Sequence, residues 1–198
     1  MTVAVEGIVD AAVAGKILKA MGLELGPVHG QKGKNWLDAK LPGYNNGARF
    51  APWLVLRDLD QDAECAPALL PSLLRAPATN MRLRIAVRSV EAWLLADSER
   101  ISDFLRVPER AVPGFPDGLP DAKQTFVDLA HQSQSREIRK DLVPEIGTSG
   151  KVGPGYTSRL IEFAVQRWRP RVAARDSDSL SRCLASLEIL RSRKSNRT

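Results

Sequence analysis

The first ninety-seven residues switch repeatedly between two hydrophobic periodicities, and that switching leaves few architectures open. Thr2 to Val5 reads as a short strand. Val9, Val13, Ile17 and Met21 then recur four apart, the spacing of one helix face, and Gly22 follows as a stop signal. A weak strand is expected over Glu24 to Val28. The stretch from His29 to Gly47 is rich in glycine and asparagine and reads as loop, with a short helix around Trp36 to Leu41. Pro52 opens Trp53 to Leu56, an unbroken apolar run of the kind a buried parallel strand needs. Ala63 to Arg75 is helical in pattern but interrupted by Pro67 and Pro71. Arg82 to Val87 alternates charged and apolar residues, and Val90 to Leu95 turns helical again. Strand and helix in strict succession predict an α/β fold: a parallel sheet of about four strands, flanked by helices and joined by right-handed crossovers.

The second half has another character. Asp121 to Ala130, Tyr156 to Trp168 and Ser177 to Arg191 each read as helix, and Leu180, Leu184 and Leu187 stripe the last. Val112 to Pro120 is a Pro/Gly-rich connection. The expected organisation is an α/β domain over residues 1–110 and a C-terminal helical extension over 111–198, packed on it. That last apolar stripe suits a dimer as well as a core, so the oligomeric state stays open. No apolar run approaches membrane-spanning length, and the N-terminus lacks the basic and apolar regions of a signal peptide. Cys65 and Cys183 are too far apart in sequence to suggest a disulfide framework or zinc site, and both read as ordinary small buried residues. A cytoplasmic setting is expected. The net charge of +6 falls mostly on the second half: eleven basic and ten acidic residues precede Ser98, while eighteen and thirteen follow from it. The tail Arg191 to Arg197 is basic and lacks apolar residues, which suits either a polyanion or a solvated terminus.

Acidic residues collect where two buried strands should end. Val5-Glu6-Gly7-Ile8-Val9-Asp10 follows the first, and Leu56-Arg57-Asp58-Leu59-Asp60 closes the third. Ligands gather at the carboxyl ends of strands in open α/β sheets. If these strands are neighbours, Glu6, Asp58 and Asp60 meet at one edge, with Asp10 one turn into the first helix on the same rim. Clustered carboxylates repel unless something positive joins them, and Mg²⁺ takes a few carboxylates plus waters and phosphates. Each acid also has a simpler role. Asp10 complements a helix dipole, and Asp58 to Asp62 can serve as loop and capping acids.

This pattern resembles the TOPRIM domain of topoisomerases, bacterial primases, small TOPRIM nucleases and overcoming-lysogenization-defect nucleases. There, a glutamate after the first strand and an Asp-x-Asp after the third bind Mg²⁺ and act on phosphodiesters. The resemblance implies Glu6 as metal ligand or general acid/base, and Asp58 and Asp60 as metal ligands. Gln61-Asp62-Ala63 departs from it, since glycine often follows the Asp-x-Asp; Asp62 then replaces or supplements a ligand. Glu91 to Asp97, Pro120-Asp121-Ala122-Lys123 and Ser181-Arg182-Cys183 resemble a narrower TOPRIM-like family, domain of unknown function 4276. Its members are associated with ATPase partner proteins and with phage-defence or mobile-element contexts. Glu91, which also follows a strand, reads as a further metal ligand or a first-turn helix acid; Trp93 to Leu95 read as core, and Asp97 as a cap for the segment after it.

Gly147 to Tyr156 is the most glycine-rich stretch, but it lacks the GxxxxGK[ST] spacing and no buried strand precedes it. Gly30 to Asn35 fails in the same way, so no ATP hydrolysis is expected of this chain. Lys32, Lys34 and Lys151 in these loops are candidate nucleic-acid contacts. Arg57 either balances the acidic pair or approaches a scissile phosphate. The expected function is a Mg²⁺- or Mn²⁺-dependent nuclease cleaving nucleic-acid phosphodiesters, with an ATPase partner implied by the resemblance and no membrane role. The alternative is a non-catalytic module of the same fold that binds nucleic acid or protein. Nucleotidyl transfer is weaker, because neither a zinc motif nor a template-binding domain is recognisable.

Overall fold

A computed structural model of the chain describes residues 1–145 and 147–195. Its α/β architecture is a four-stranded, wholly parallel sheet flanked by helices. In chain order the first half runs β1 (Thr2–Val5), α1 (Ile8–Ala20), β2 (Val28–Gly30), α2 (Lys34–Gly47), β3 (Trp53–Asp58), α3 (Ala66–Leu73) and β4 (Met81–Ala86). The strands lie in the order β2-β1-β3-β4. The first and third strands are therefore neighbours, with Val3 opposite Leu54 and Ala4 opposite Val55.

Side chains alternate across the strands and build two cores. Val3, Val5, Leu54 and Leu56 face one side; Ala4, Val55, Leu83 and Ile85 face the other. The second side is closed by α2 and α3, through residues such as Leu37, Leu41 and Leu69. The first is closed by α1 and by the rest of the chain: α4 (Val90–Leu95), α5 (Ser98–Leu105), α6 (Ala122–His131), α7 (Arg136–Leu142), α8 (Tyr156–Gln166), α9 (Pro170–Ala173) and α10 (Asp178–Ser195). One apolar cluster runs without a break from Val3 through Trp93, Phe126, Phe163 and Trp168 to Leu187. The helical extension thus shares its core with the sheet.

Several elements differ from the sequence reading. The second strand sits at Val28–Gly30, later than expected, because it ends against β1. Gly30 has φ +94°, and a Cβ there would lie 2.1 Å from the Val5 carbonyl oxygen. Only glycine fits that crossing. The second helix runs through Pro42 to Gly47, well beyond the short segment expected. Its buried Leu37, Leu41 and Tyr44 anchor it on the sheet, and that packing outweighs poor local propensity. The helices α5 and α7 occupy stretches that carried no assignment. Cys183 is buried as expected, but Cys65 is exposed ahead of α3. The basic tail lies partly outside the described residues. Among the described residues no helix is long and apolar enough to cross a membrane.

Candidate metal centre

Adjacency of β1 and β3 brings the predicted acids together. Glu6 immediately follows β1, and its Oε1 accepts the backbone N–H of Asp58, the last residue of β3, at 2.8 Å. Asp58 Oδ1 accepts the N–H of Val90 at 3.0 Å, so the first turn of α4, with Glu91, is tied to the end of β3. Asp10 lies in the first turn of α1, where its Oδ2 accepts the Gly7 N–H at 3.1 Å. Its other oxygen, Oδ1, is buried and has no hydrogen-bond partner. Three segments distant in sequence thus place Glu6, Asp10, Asp58 and Glu91 around one rim.

The electrostatics follow from that crowding. Loss of water pushes the Asp58 carboxyl well above its usual range, and the charges of Asp10, Glu91, Glu6 and Asp60 push it further. Burial also raises Asp10, to about 7, aided by Glu91 and Glu6 and opposed by its backbone hydrogen bonds. Glu6 is raised by burial, against the lowering effects of the Asp58 N–H and the Arg57 charge.

Asp60 stands apart from Asp58. The strand stops at Asp58, and Asp60 sits in a turn with φ +48°, a left-handed conformation that aspartate tolerates better than most residues. Its backbone is held by Arg88: Asp60 N–H donates to the Arg88 carbonyl at 2.9 Å, and Arg88 Nη1 donates to the Asp60 carbonyl at 2.9 Å. The Asp60 carboxylate reaches Lys34 Nζ at 3.0 Å, and the same ammonium holds Asp62 at 2.9 Å. Lys34, read as a candidate nucleic-acid contact, is thereby placed as counter-charge to the acidic turn.

Arg57 is buried, 3% exposed. Its guanidinium donates to Asp38, Asp62 and the Asp58 carbonyl, and lies 3.6 Å from Glu6. Burial opposes the charge, but the bonds to Asp38 and Asp62 outweigh it and hold the guanidinium firmly protonated. Of its two open roles, the geometry favours balancing charge. Lys32 lies 5.4 Å from the centroid of the Trp36 ring, a cation–π arrangement shared with Lys40 at 5.7 Å. Lys151 is exposed in the connection before α8. The glycines around it have a packing role: a Cβ on Gly153 would come within 2.4 Å of the Asp141 carbonyl oxygen, and one on Gly155 within 2.6 Å of the Asp141 side chain. The loop is drawn tight against the end of α7.

Two participants carried no predicted role. Tyr156, at the start of α8, donates its hydroxyl to Glu91 Oε1 at 3.4 Å, and Lys123 Nζ on α6 lies 3.8 Å from the same oxygen. The nearest sequence signal was Lys123 in the Pro120-to-Lys123 stretch. Asp97 does not cap α5 with its side chain; both its oxygens hold Arg169.

The donor set fits a hard divalent cation. It is all carboxylate, Asp10 and Glu91 are buried, and the Asp10 Oδ1 lacks any partner, which is costly unless a positive group satisfies it. Among the described residues, no group of three or more His, Cys, Asp or Glu side chains is already positioned to hold a metal ion. One oxygen each of Glu6 and Asp58 is engaged with a backbone amide, and the Asp60 carboxylate is turned to Lys34. Compared with known proteins, the chain matches no protein-family model, no curated protein and no solved structure.

Proposed function

We propose that this chain is a metal-dependent nuclease that hydrolyses nucleic-acid phosphodiesters, with Mg²⁺ or Mn²⁺ held by Glu6, Asp58 and Asp60 and supported by Asp10 and Glu91. The observation that carries the reading is the meeting of acids from β1, α1, β3 and α4 at the carboxyl end of a parallel sheet, with Asp10 Oδ1 left unsatisfied. A bound divalent ion supplies charge to the phosphate and activates water there. The protein's part is to fix and tune the acids. Arg57 steadies Glu6 and the Asp62 turn, while Tyr156 and Lys123 orient Glu91. Burial raises the Glu6 carboxyl above its usual range, and a bound divalent ion would relieve that cost by favouring the charged form. Lys34 holds Asp60 and would be freed toward a phosphate when Asp60 turns to the ion. An ATPase partner and a phage-defence or mobile-element setting belong to this proposal through the family resemblance alone.

The test is incubation of the purified chain with single-stranded and duplex DNA and RNA, with Mg²⁺ or Mn²⁺, beside the Asp58→Ala variant. Cleavage that needs both metal and Asp58 supports the reading; cleavage indifferent to Asp58 overturns it. A second reading, a non-catalytic interaction module, is favoured by one observation: Lys34, Arg57 and Lys123 already neutralise part of the rim. It expects nucleic-acid binding without any calorimetric signal for Mg²⁺.

A further inference from the structure

We propose that a cleft at the opposite end of α1 from the carboxylates binds a phosphate-bearing anion, as a free phosphate ester or as a polynucleotide backbone. The cleft, of about 560 Å³, lies between the C-terminal half of α1, the start of α5 and the α8–α9 connection. Five cationic residues line it: Lys16, Arg100, Arg167, Arg169 and Arg171. Its thirteen-residue neighbour α1 is roughly 20 Å long, so the two ends are separate sites.

The cleft's positive charge exceeds its counter-charge. Arg169 is bound to both oxygens of Asp97 and to Glu99, Arg167 lies 3.1 Å from Asp103, and Arg100 approaches Glu99 only at 3.9 Å. Lys16 Nζ donates to the Val165 carbonyl at 2.6 Å, and Arg171 Nε to the Ala20 carbonyl at 3.2 Å. These carbonyls close the ends of α8 and α1. Such capping explains why Lys16 and Arg171 stand where they do, but a carbonyl carries no full charge to cancel theirs. Five cations therefore face the carboxylates of Asp97, Glu99 and Asp103. Burial, with a smaller contribution from the Lys19 charge outside the cleft, lowers the Lys16 ammonium below its usual pKa.

Part of the site is held in place by buried groups. Trp168 forms its floor, 1% exposed, with its indole N–H donating to the Trp93 carbonyl at 3.0 Å. Asp97, equally buried, fixes Arg169 through backbone and side chain. Cations held in place before binding lose little freedom on meeting a ligand. Phosphate, with several acceptor oxygens, uses such a ring of forked guanidinium donors better than a single carboxylate does. This inference stands whether or not the carboxylate rim takes a metal.

The test uses the full chain in EDTA and titrates it with pyrophosphate, AMP, an oligonucleotide of about 12 nucleotides and a glutamate-rich peptide. The combined Arg100→Gln and Arg171→Gln changes should weaken phosphate-ligand binding by about tenfold or more, and Arg→Lys at both sites should recover part of it. Arg182→Gln, at an exposed arginine of α10 outside the cleft, should leave phosphate-ligand binding unchanged. Binding of pyrophosphate or AMP identifies a free phosphate ester; binding of the oligonucleotide alone, falling steeply with salt, identifies a backbone. Should the double variant unfold, Arg100→Gln alone reads the loss, since that side chain is 43% exposed. Absence of binding by every phosphate probe, unaltered binding by the variants, or preference for the peptide would overturn the proposal.

Discussion

The two ends of α1 present opposite electrostatic problems. At its start, Glu6, Asp10, Asp58 and Glu91 crowd together, and burial raises the Asp10 and Asp58 carboxyls above their usual range. At its end, arginines and a lysine outnumber the acids beside them. The chain handles each excess differently. The acid rim borrows a deeply buried cation, Arg57, and leaves one oxygen unsatisfied. The basic cleft pairs three of its cations with acids and sets the other two against neutral carbonyls. The difference teaches that a buried charge excess appears as perturbed protonation, whereas an exposed one appears as affinity for counter-ions.

The comparison breaks most sharply at Arg57. Replacing it with leucine removes the buried counter-charge to Glu6, Asp38 and Asp62, and should cost about 3–5 kcal/mol in stability, read by urea unfolding. An unchanged midpoint would mean that the rim does not depend on an internal cation. Asp58→Ala should lower metal-dependent cleavage by about two to three orders of magnitude, the scale of losing one electrostatic stabiliser, and should abolish any rise in melting temperature on adding Mg²⁺.

Asp10 sharpens the contrast in the other direction. Its folded carboxyl titrates near 7, against a usual value of 3.8, so the folded chain holds this proton more tightly than the unfolded chain does. The stability of the metal-free protein should then fall as pH rises from about 4 to 7, with the penalty complete above 7. Asp10→Asn keeps an acceptor for the Gly7 N–H while removing the charge. It should flatten that decline and raise the metal-free melting temperature at pH 8 by a few degrees, roughly 2–4 °C per kcal/mol for a chain of this size. A melting temperature at or below wild type would count against a strained rim. The smallest effect is expected at Lys34, whose side chain is 35% exposed. Lys34→Ala should change stability by less than about 1 kcal/mol and tighten Mg²⁺ binding by no more than about fivefold, as a weakly held competitor for Asp60 is lost.

The acid rim was legible because carboxylates ended two recognisable strands, and parallel pairing of β1 and β3 made Glu6 and Asp58 neighbours. Their partners were not. Tyr156 and Lys123 reach Glu91 across 65 and 32 residues of chain, and no local pattern encodes such a meeting. Lys34 looked like a loop cation because it closely follows Gly30 and Gly33, whereas α2 begins at Lys34 itself. The signal for α5 was present in Ile101, Phe104 and Leu105, a stripe too short to stand out from its proline-rich surroundings. The basic cleft was partly written in the run Arg167 to Arg171. Only the fold brings Lys16 and Arg100 to it.

The unbroken core from Val3 to Leu187 also bears on how this chain comes off the ribosome. Its strands are made before α4 to α10, so the face that α1 begins to cover is completed only when those helices follow, and Glu91 gains its hydroxyl partner only when Tyr156 arrives. A nascent fragment would carry the acids without the scaffold that sets them.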